Sequence, residues 1–508
     1  RLDYLASLGV TCLWLLPFFP TPNHDNGYDI IDYYGVDERH GSLGDCVAFL
    51  HDARARGLEV IIDLVLHHTS DQHPWFQQSR EGGPYRDFYV WTDDPPDETA
   101  AEVIFPGVEQ GIWARDEQAG AWYLHHFYSF EPDLNIEHPA VRREIQKIVG
   151  MWLQLGVSGF RVDAASRMLG REALLPQAEQ QPHEFLRYLR SIVSARDGRA
   201  ALIAETDVEV ERLATYFGDG DQMQLLLNFW LDNHLFLALA REEAEPIVRA
   251  FRAMPEKPSV GQWANFVRNL DELDLERLSV EEQEEVYAVF APDEEMRIYR
   301  RGIRRRLAPM LGGDRRRLEL VYSLLFSLPG TPVLVYGDEI GMGDDLALPE
   351  RWSVRTPMQW SCDANAGFSD APEDAVVRPV VSEGEFGYQH VNVVDQRRDP
   401  DSLLNWMQRV IRMRRQNPEI GWGELTLIET DQPNVLAHRC DSEGGTLMTV
   451  HNLSGASCTA TLSPGDLDLA AAVEIFGDHD YGPVQEELPS IRLDAYGYRW
   501  FRCGGVQL

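Results

Sequence analysis

The chain has 508 residues, 44% of them hydrophobic, and a formal net charge of −36. It is longer than one ordinary domain and apolar enough to fill a core, which excludes a disordered chain. So acidic a surface repels nucleic acid and anionic membranes, and no apolar run approaches the roughly 20 residues of a membrane span.

Six cysteines without a C-x-x-C pair give neither a disulfide framework nor a zinc site in a chain this long. Cys12 lies in an apolar strand and is expected to be buried. With no leader-like segment before the first helical residues, the chain reads as cytoplasmic.

Helix and strand alternate from the start. Residues 2–9 read as a helix closed by Gly9. Residues 10–18 are a continuous apolar run, expected of a parallel strand covered on both faces. Residues 45–56 have helical spacing with Gly57 as a stop, and 60–66 form a buried strand leading into His67 and His68. The pattern repeats as helix 139–155, strand 159–162, helix 184–195, strand 201–203, helix 316–327 and strand 333–336. Polar residues follow the C-terminal ends of the strands, as in a (β/α)8 TIM barrel. A doubly wound sheet would carry a G-x-G-x-x-G loop after an early strand, and the sequence has none there.

Residues 71–130 interrupt the alternation with Pro, Gly, Trp and Asp and no clear helix. They read as a subdomain inserted over the barrel mouth. Near Gly421 the pattern changes to short strands with turns at 442–445 and 464–466, which reads as a small β-sandwich. The domain expectation is a barrel over 1–70 and 131–420, the insertion at 71–130, and a C-terminal β domain at 421–508. A barrel opens with a strand, and this chain opens with a helix. The first strand is therefore expected to lie upstream of Arg1.

Four segments carry the chemistry: Asp63 to His68, Gly159 to Ala164, Ile203 to Glu205, and Phe266 to Asp271. Each puts charge after a buried strand. A retaining glycosidase needs a carboxylate nucleophile and a second carboxyl group that protonates the leaving oxygen, about 5–5.5 Å away. Asp163 suits the nucleophile, with Arg161 on the same strand face to keep it ionised. Glu205 suits the acid/base, whose pKa must rise to carry a proton near neutrality. Asp271 suits a group that holds sugar hydroxyls and the distorted ring.

These segments resemble the α-amylase superfamily of retaining glycoside hydrolases and transglycosylases. Residues 26–30, 131–135 and 330–339 add to the likeness, which covers nearly the whole chain. Residues 69–76, the Arg- and Glu-rich insertion 272–317, and residues 340–344 and 354–360 resemble the trehalose synthase group within it. That resemblance implies an enzyme that interconverts maltose and trehalose by intramolecular glucosyl transfer. It implies Tyr28, Asp29, His68, Arg161 and Arg355 as substrate-binding residues. It also implies a disaccharide or oligosaccharide substrate and no required cofactor; the acidic surface speaks against nucleic acid and membrane partners, and a homo-oligomer is an open possibility. The insertion 272–317 reads as a solvated helical pair, a lid, or both.

Three residues depart from the family pattern. Leu270 stands where a histidine precedes the third carboxylate. Thr206 and Asp207 follow Glu205 in place of Asn-Gln-like residues. His67 replaces an asparagine that ligates calcium, a hard cation that prefers oxygen. Calcium is therefore expected to be weak or absent, with Asp133 its remaining contributor. Glu131 replaces a common glutamine without evident meaning. These departures keep open an α-glucosidase, a transferase with another acceptor, and a weakened sugar-binding paralogue.

Overall fold

The computed structural model describes residues 1–96, 103–169, 183–463, 465, 467, 469, 472–482 and 489–503. The chain forms two compact units, one of Arg1–Leu227 with Pro255–Gln262, the other of Asn228–Met254 with Trp263–Leu508. Among the described residues, no helix is long and apolar enough to cross a membrane.

The first unit is built on parallel strands in the order Cys12–Leu15, Glu59–Leu64, Gly159–Val162, Ala201–Ala204 and Leu225–Leu227. Helices Leu43–Ala55, Pro139–Leu155, Glu184–Ser194 and Val210–Phe217 separate them in sequence. Local chemistry sets their limits. Ser42 and Asp45 form a reciprocal capping box at the start of Leu43–Ala55. Pro139 opens its helix and Gly156, at φ 113°, closes it. A Cβ on Gly159 would overlap the carbonyl oxygen of Ala201, so only glycine lets these two strands meet.

Register decides what meets at the strand ends. Asp63 lies opposite Arg161, and Val162 lies opposite Ala204. The residues one step on, Asp163 and Glu205, therefore leave adjacent strands side by side.

Several expectations need correction. The first strand is only Cys12–Leu15, at the edge of its sheet and bonded to one neighbour. Cys12 is accordingly exposed rather than buried. The stretch 71–130 does contain a helix, Pro74–Arg80, which His73 caps by accepting the Trp75 N–H at 3.0 Å. Seven residues are too few to show periodicity. The same stretch holds three antiparallel strands, Trp91–Thr92, Trp113–Asp116 and Ala121–Leu124, and residues 97–102 lie outside the described ones.

In the second unit Ala264 and Asn265 pair in parallel with Thr331 and Pro332. Residues 333–336 are not a strand. Beyond the Val333 N–H bond to Asn265, the Asp338 carboxylate accepts from the Val335 N–H at 3.2 Å, turning the backbone out of the ladder. The stretch 272–317 is not a helical pair. It holds the helix Val280–Phe290, capped by Ser279, and a small antiparallel sheet of Leu273–Asp274, Gly302–Ile303 and Arg297–Ile298.

Among the described residues, seven antiparallel strands follow Trp422, in the order Ala472–Gly477, Tyr498–Cys503, Gly445–Asn452, Val435–Ser442, Glu424–Thr430, Cys458–Ser463 and Ser490–Leu493. The strand Glu424–Thr430 pairs with Val435–Ser442 through its first five residues and with Cys458–Ser463 through its last two. It is thus shared by two layers over a core that includes Ile428, Val450, Leu462, Ile491 and Phe501. Pro464 and Asp466 of the expected turn lie outside the described residues.

This β domain docks on helix Arg315–Ser327 through buried polar bonds. His451 Nε2 lies 2.9 Å from Ser323 Oγ, which also accepts from the Trp500 indole, and His438 Nε2 lies 3.0 Å from the Ser327 carbonyl. Burial pushes the His438 imidazole down to about 4 and that of His451 well below its ordinary value. Both titrate near 6.5 once unfolded, so the native chain binds fewer protons below that pH. Their contribution to stability is complete above pH 6.5 and is lost as pH falls toward 4. Between pH 7 and 5 the parent is expected to lose about 2 kcal/mol more than a His438→Gln variant, as read by urea unfolding. Parallel losses would show that His438 is not buried neutral.

Candidate active site

In the first unit one arginine organises the strand ends. Arg161 is 2% exposed. Its Nη1 donates to Asp163 Oδ1 and, at 2.7 Å, to Asp63 Oδ1, while Nη2 lies 2.9 Å from Glu205 Oε1. Asp163 and Glu205 are thus held by the two terminal nitrogens of one planar guanidinium, a fork that lysine lacks. Burial works against the Arg161 charge, yet Asp63, Glu205 and Asp163 outweigh it and hold its pKa well above the usual value. For Asp63 the balance goes the other way. Full burial pushes its carboxyl up to about 6, although Arg161 and the Trp14 indole at 3.2 Å oppose the shift.

Backbone strain sits beside these groups. Ala164, directly after Asp163, has φ 45°, and its N–H donates to Glu205 Oε2 at 2.9 Å. A non-glycine residue in that region costs on the order of 1 kcal/mol. Here the strain aims a backbone donor at the second carboxylate.

The other sequence candidates are distributed unevenly. Tyr28 is buried with its hydroxyl 3.3 Å from Asp63 Oδ2, so it joins the Arg161 cluster. The Asp29 carboxylate is fully buried and accepts from Thr21 Oγ1 and from the His24 and Asp25 N–H groups, which organises its own loop. His68 Nε2 faces Glu131 Oε1 at 3.6 Å, both residues buried. Glu131 Oε2 also accepts from the Tyr128 N–H at 3.3 Å, so this carboxylate holds its own turn while its other oxygen faces the His68 ring. His73, in the segment 69–76, is a helix cap whose pKa burial pushes down to about 3.

In the second unit Asp271 Oδ1 accepts from Arg351 Nη1 at 2.7 Å and from Arg355 Nη2 at 2.6 Å. Arg355 Nε also donates to the Leu270 carbonyl at 2.7 Å, and Arg268 to the Asp271 carbonyl. Two guanidinium groups thus orient the carboxylate beside the position where Leu270 replaces histidine. Trp14, Ala164 and Arg351 were not evident from sequence. Trp14 reads as one more apolar strand residue, and Arg351 as one more surface cation.

Asp133 Oδ1 lies 3.2 Å from His67 Nδ1, and Oδ2 faces His126 Nδ1. Two imidazole nitrogens and one carboxylate do not fit calcium, which takes six to eight oxygens.

The alpha amylase catalytic-domain family matches residues 1–423, and the sucrose hydrolase-like C-terminal domain family matches 444–502. The chain belongs to the alpha-amylase family, whose barrel with a β-rich C-terminal domain is the fold class expected from sequence. It is 43% identical to a trehalose synthase of Thermus thermophilus over 100% of this chain and 52% of that protein, so it spans about half that relative's length. It is 40% identical to the trehalose synthase/amylase TreS of Mycobacterium tuberculosis (strain ATCC 25618 / H37Rv), over 99% of this chain and 85% of the relative. Among solved structures, the alpha-amylase from H. orenii superposes with a TM-score of 0.77 at 24% identity, covering 99% of this chain and 92% of that one.

Proposed function

We propose that the chain is a retaining α-glucoside transglucosidase that interconverts maltose and trehalose by intramolecular transfer. Asp163 attacks the anomeric carbon and Glu205 protonates the departing oxygen. The released glucose turns over without leaving the enzyme, and Glu205 takes the proton from a different hydroxyl as it attacks back. Asp271, oriented by Arg351 and Arg355, holds the sugar hydroxyls, and Tyr28 and His68 line the glucose site. The observation that carries this reading is the Arg161 fork, which pairs with Asp163 and Glu205 at once. The reaction proceeds on side chains alone, without a dissociable cofactor, on a cytoplasmic disaccharide. Neither nucleic acid nor membrane takes part.

Incubation with maltose followed by sugar chromatography tests this. Trehalose is expected as the main product, with little free glucose. Glucose without trehalose would remove the isomerase reading and leave an α-glucosidase. That second reading draws on Leu270, whose side chain offers a sugar no hydrogen bond where the family has histidine, and on the amylase activity in the name of the mycobacterial relative. A bond of that kind is worth about 1–3 kcal/mol.

A further inference from the structure

We infer that His67, His126 and Asp133 form a binding site for a borderline transition-metal dication, Zn2+ being the best fit, in place of calcium. The donor atoms all lie within 4.8 Å of one another. His67 and Asp133 are fully buried, and the His126 side chain is 12% exposed, which leaves a route for the ion and for a water ligand. Each imidazole turns Nδ1 toward a different oxygen of one carboxylate. The His126 N–H also donates to Asp133 Oδ1 at 3.2 Å, fixing the carboxylate plane. The His67 and His126 rings meet edge to face at 5.3 Å, and Phe127 packs against His67 at 5.2 Å as an apolar cover.

Two imidazoles and one carboxylate, with a fourth position open to water, are a zinc donor set. Neutral imidazole suits Zn, Ni and Cu, whereas calcium and magnesium select oxygen.

The location says what such an ion does. His67 follows the strand Glu59–Leu64, while His126 lies near the end of the stretch inserted after it and Asp133 just beyond. Backbone bonds already tie these segments, from Leu134 N–H to the His67 carbonyl at 2.9 Å and from Thr69 N–H to the Pro132 carbonyl at 3.2 Å. The ion adds a side-chain staple next to His68. This inference is independent of the reaction proposed above, since binding is read without sugar.

The test is titration of the chelator-treated chain with Zn2+ and, separately, Ca2+, followed by calorimetry and thermal melting. One Zn2+ per chain and a raised melting temperature are expected, with no response to Ca2+ at the same concentration. His126→Gln is expected to weaken Zn2+ binding at least about tenfold, the smallest loss seen even for outer partners of a metal ligand. The exposed-histidine variant His390→Gln is expected to bind as the parent does. The proposal is overturned if Ca2+ stabilises as well as Zn2+. It is equally overturned if Zn2+ binding is absent, or if His126→Gln leaves it unchanged, because Asp133 then only accepts hydrogen bonds from the two rings. Should His126→Gln not fold, the Co2+ absorption of the parent decides: a tetrahedral spectrum supports the site, and an octahedral spectrum or none overturns it.

Discussion

Asp163→Asn is expected to lower maltose turnover roughly 10⁴-fold or more, the scale of losing a covalent nucleophile, while the chain stays folded. The amide cannot form a glucosyl ester, so the first step is lost outright. The fold survives because Arg161 keeps two other partners, Asp63 at 2.7 Å and Glu205 at 2.9 Å. No buried charge is left alone, which is the circumstance that makes broken ion pairs costly. Initial rates and a melting curve on the same preparation check both halves. Activity within tenfold of the parent would remove Asp163 from the chemistry.

Arg161→Met is expected to cost about 3–5 kcal/mol of stability at neutral pH and all measurable activity. It leaves Asp63, Asp163 and Glu205 without their shared countercharge. Asp63, raised to about 6 by burial even with Arg161 beside it, then moves higher. The sign follows from linkage. A carboxyl whose folded pKa exceeds its unfolded value of about 3.9 favours the fold fully below that value, and the benefit is lost as pH rises through the folded pKa. The variant is therefore expected to be destabilised less at pH 5 than at pH 8. Urea unfolding at the two pH values measures this, and an equal loss at both would mean that Asp63 does not carry the penalty.

What the residues disclosed about this chain follows from how each signal works. Strands buried from both sides, such as Gly159–Val162, read as uninterrupted apolar runs, and the charged residue after each run stands out as a candidate for the chemistry. Apolarity alone misleads elsewhere. Cys12–Leu15 is as apolar yet lies at the end of its strand order, and residues 333–336 leave the ladder after Val333, neither of which composition records. Short elements such as Pro74–Arg80 and the three strands around Gly302 are specified by caps and contacts rather than periodicity.

The carboxylates Asp163, Glu205 and Asp271 stand out in sequence because their motifs are local. Their supports do not, because Arg351 and Asp271, or His126 and Asp133, meet only through the fold. The doubt that Leu270 and His67 raised in sequence takes physical form here: two arginines hold Asp271, and imidazoles replace an oxygen donor.

Covalent trapping tests the central claim most directly. The chain is incubated with a fluorinated α-glucosyl fluoride that forms the glucosyl-enzyme quickly and hydrolyses it slowly, then digested for peptide mass spectrometry. One glucosyl unit per chain on the peptide carrying Asp163, and none in Asp163→Asn, is the expected result. A label on Glu205 or Asp271, or inactivation with no covalent adduct, would contradict it.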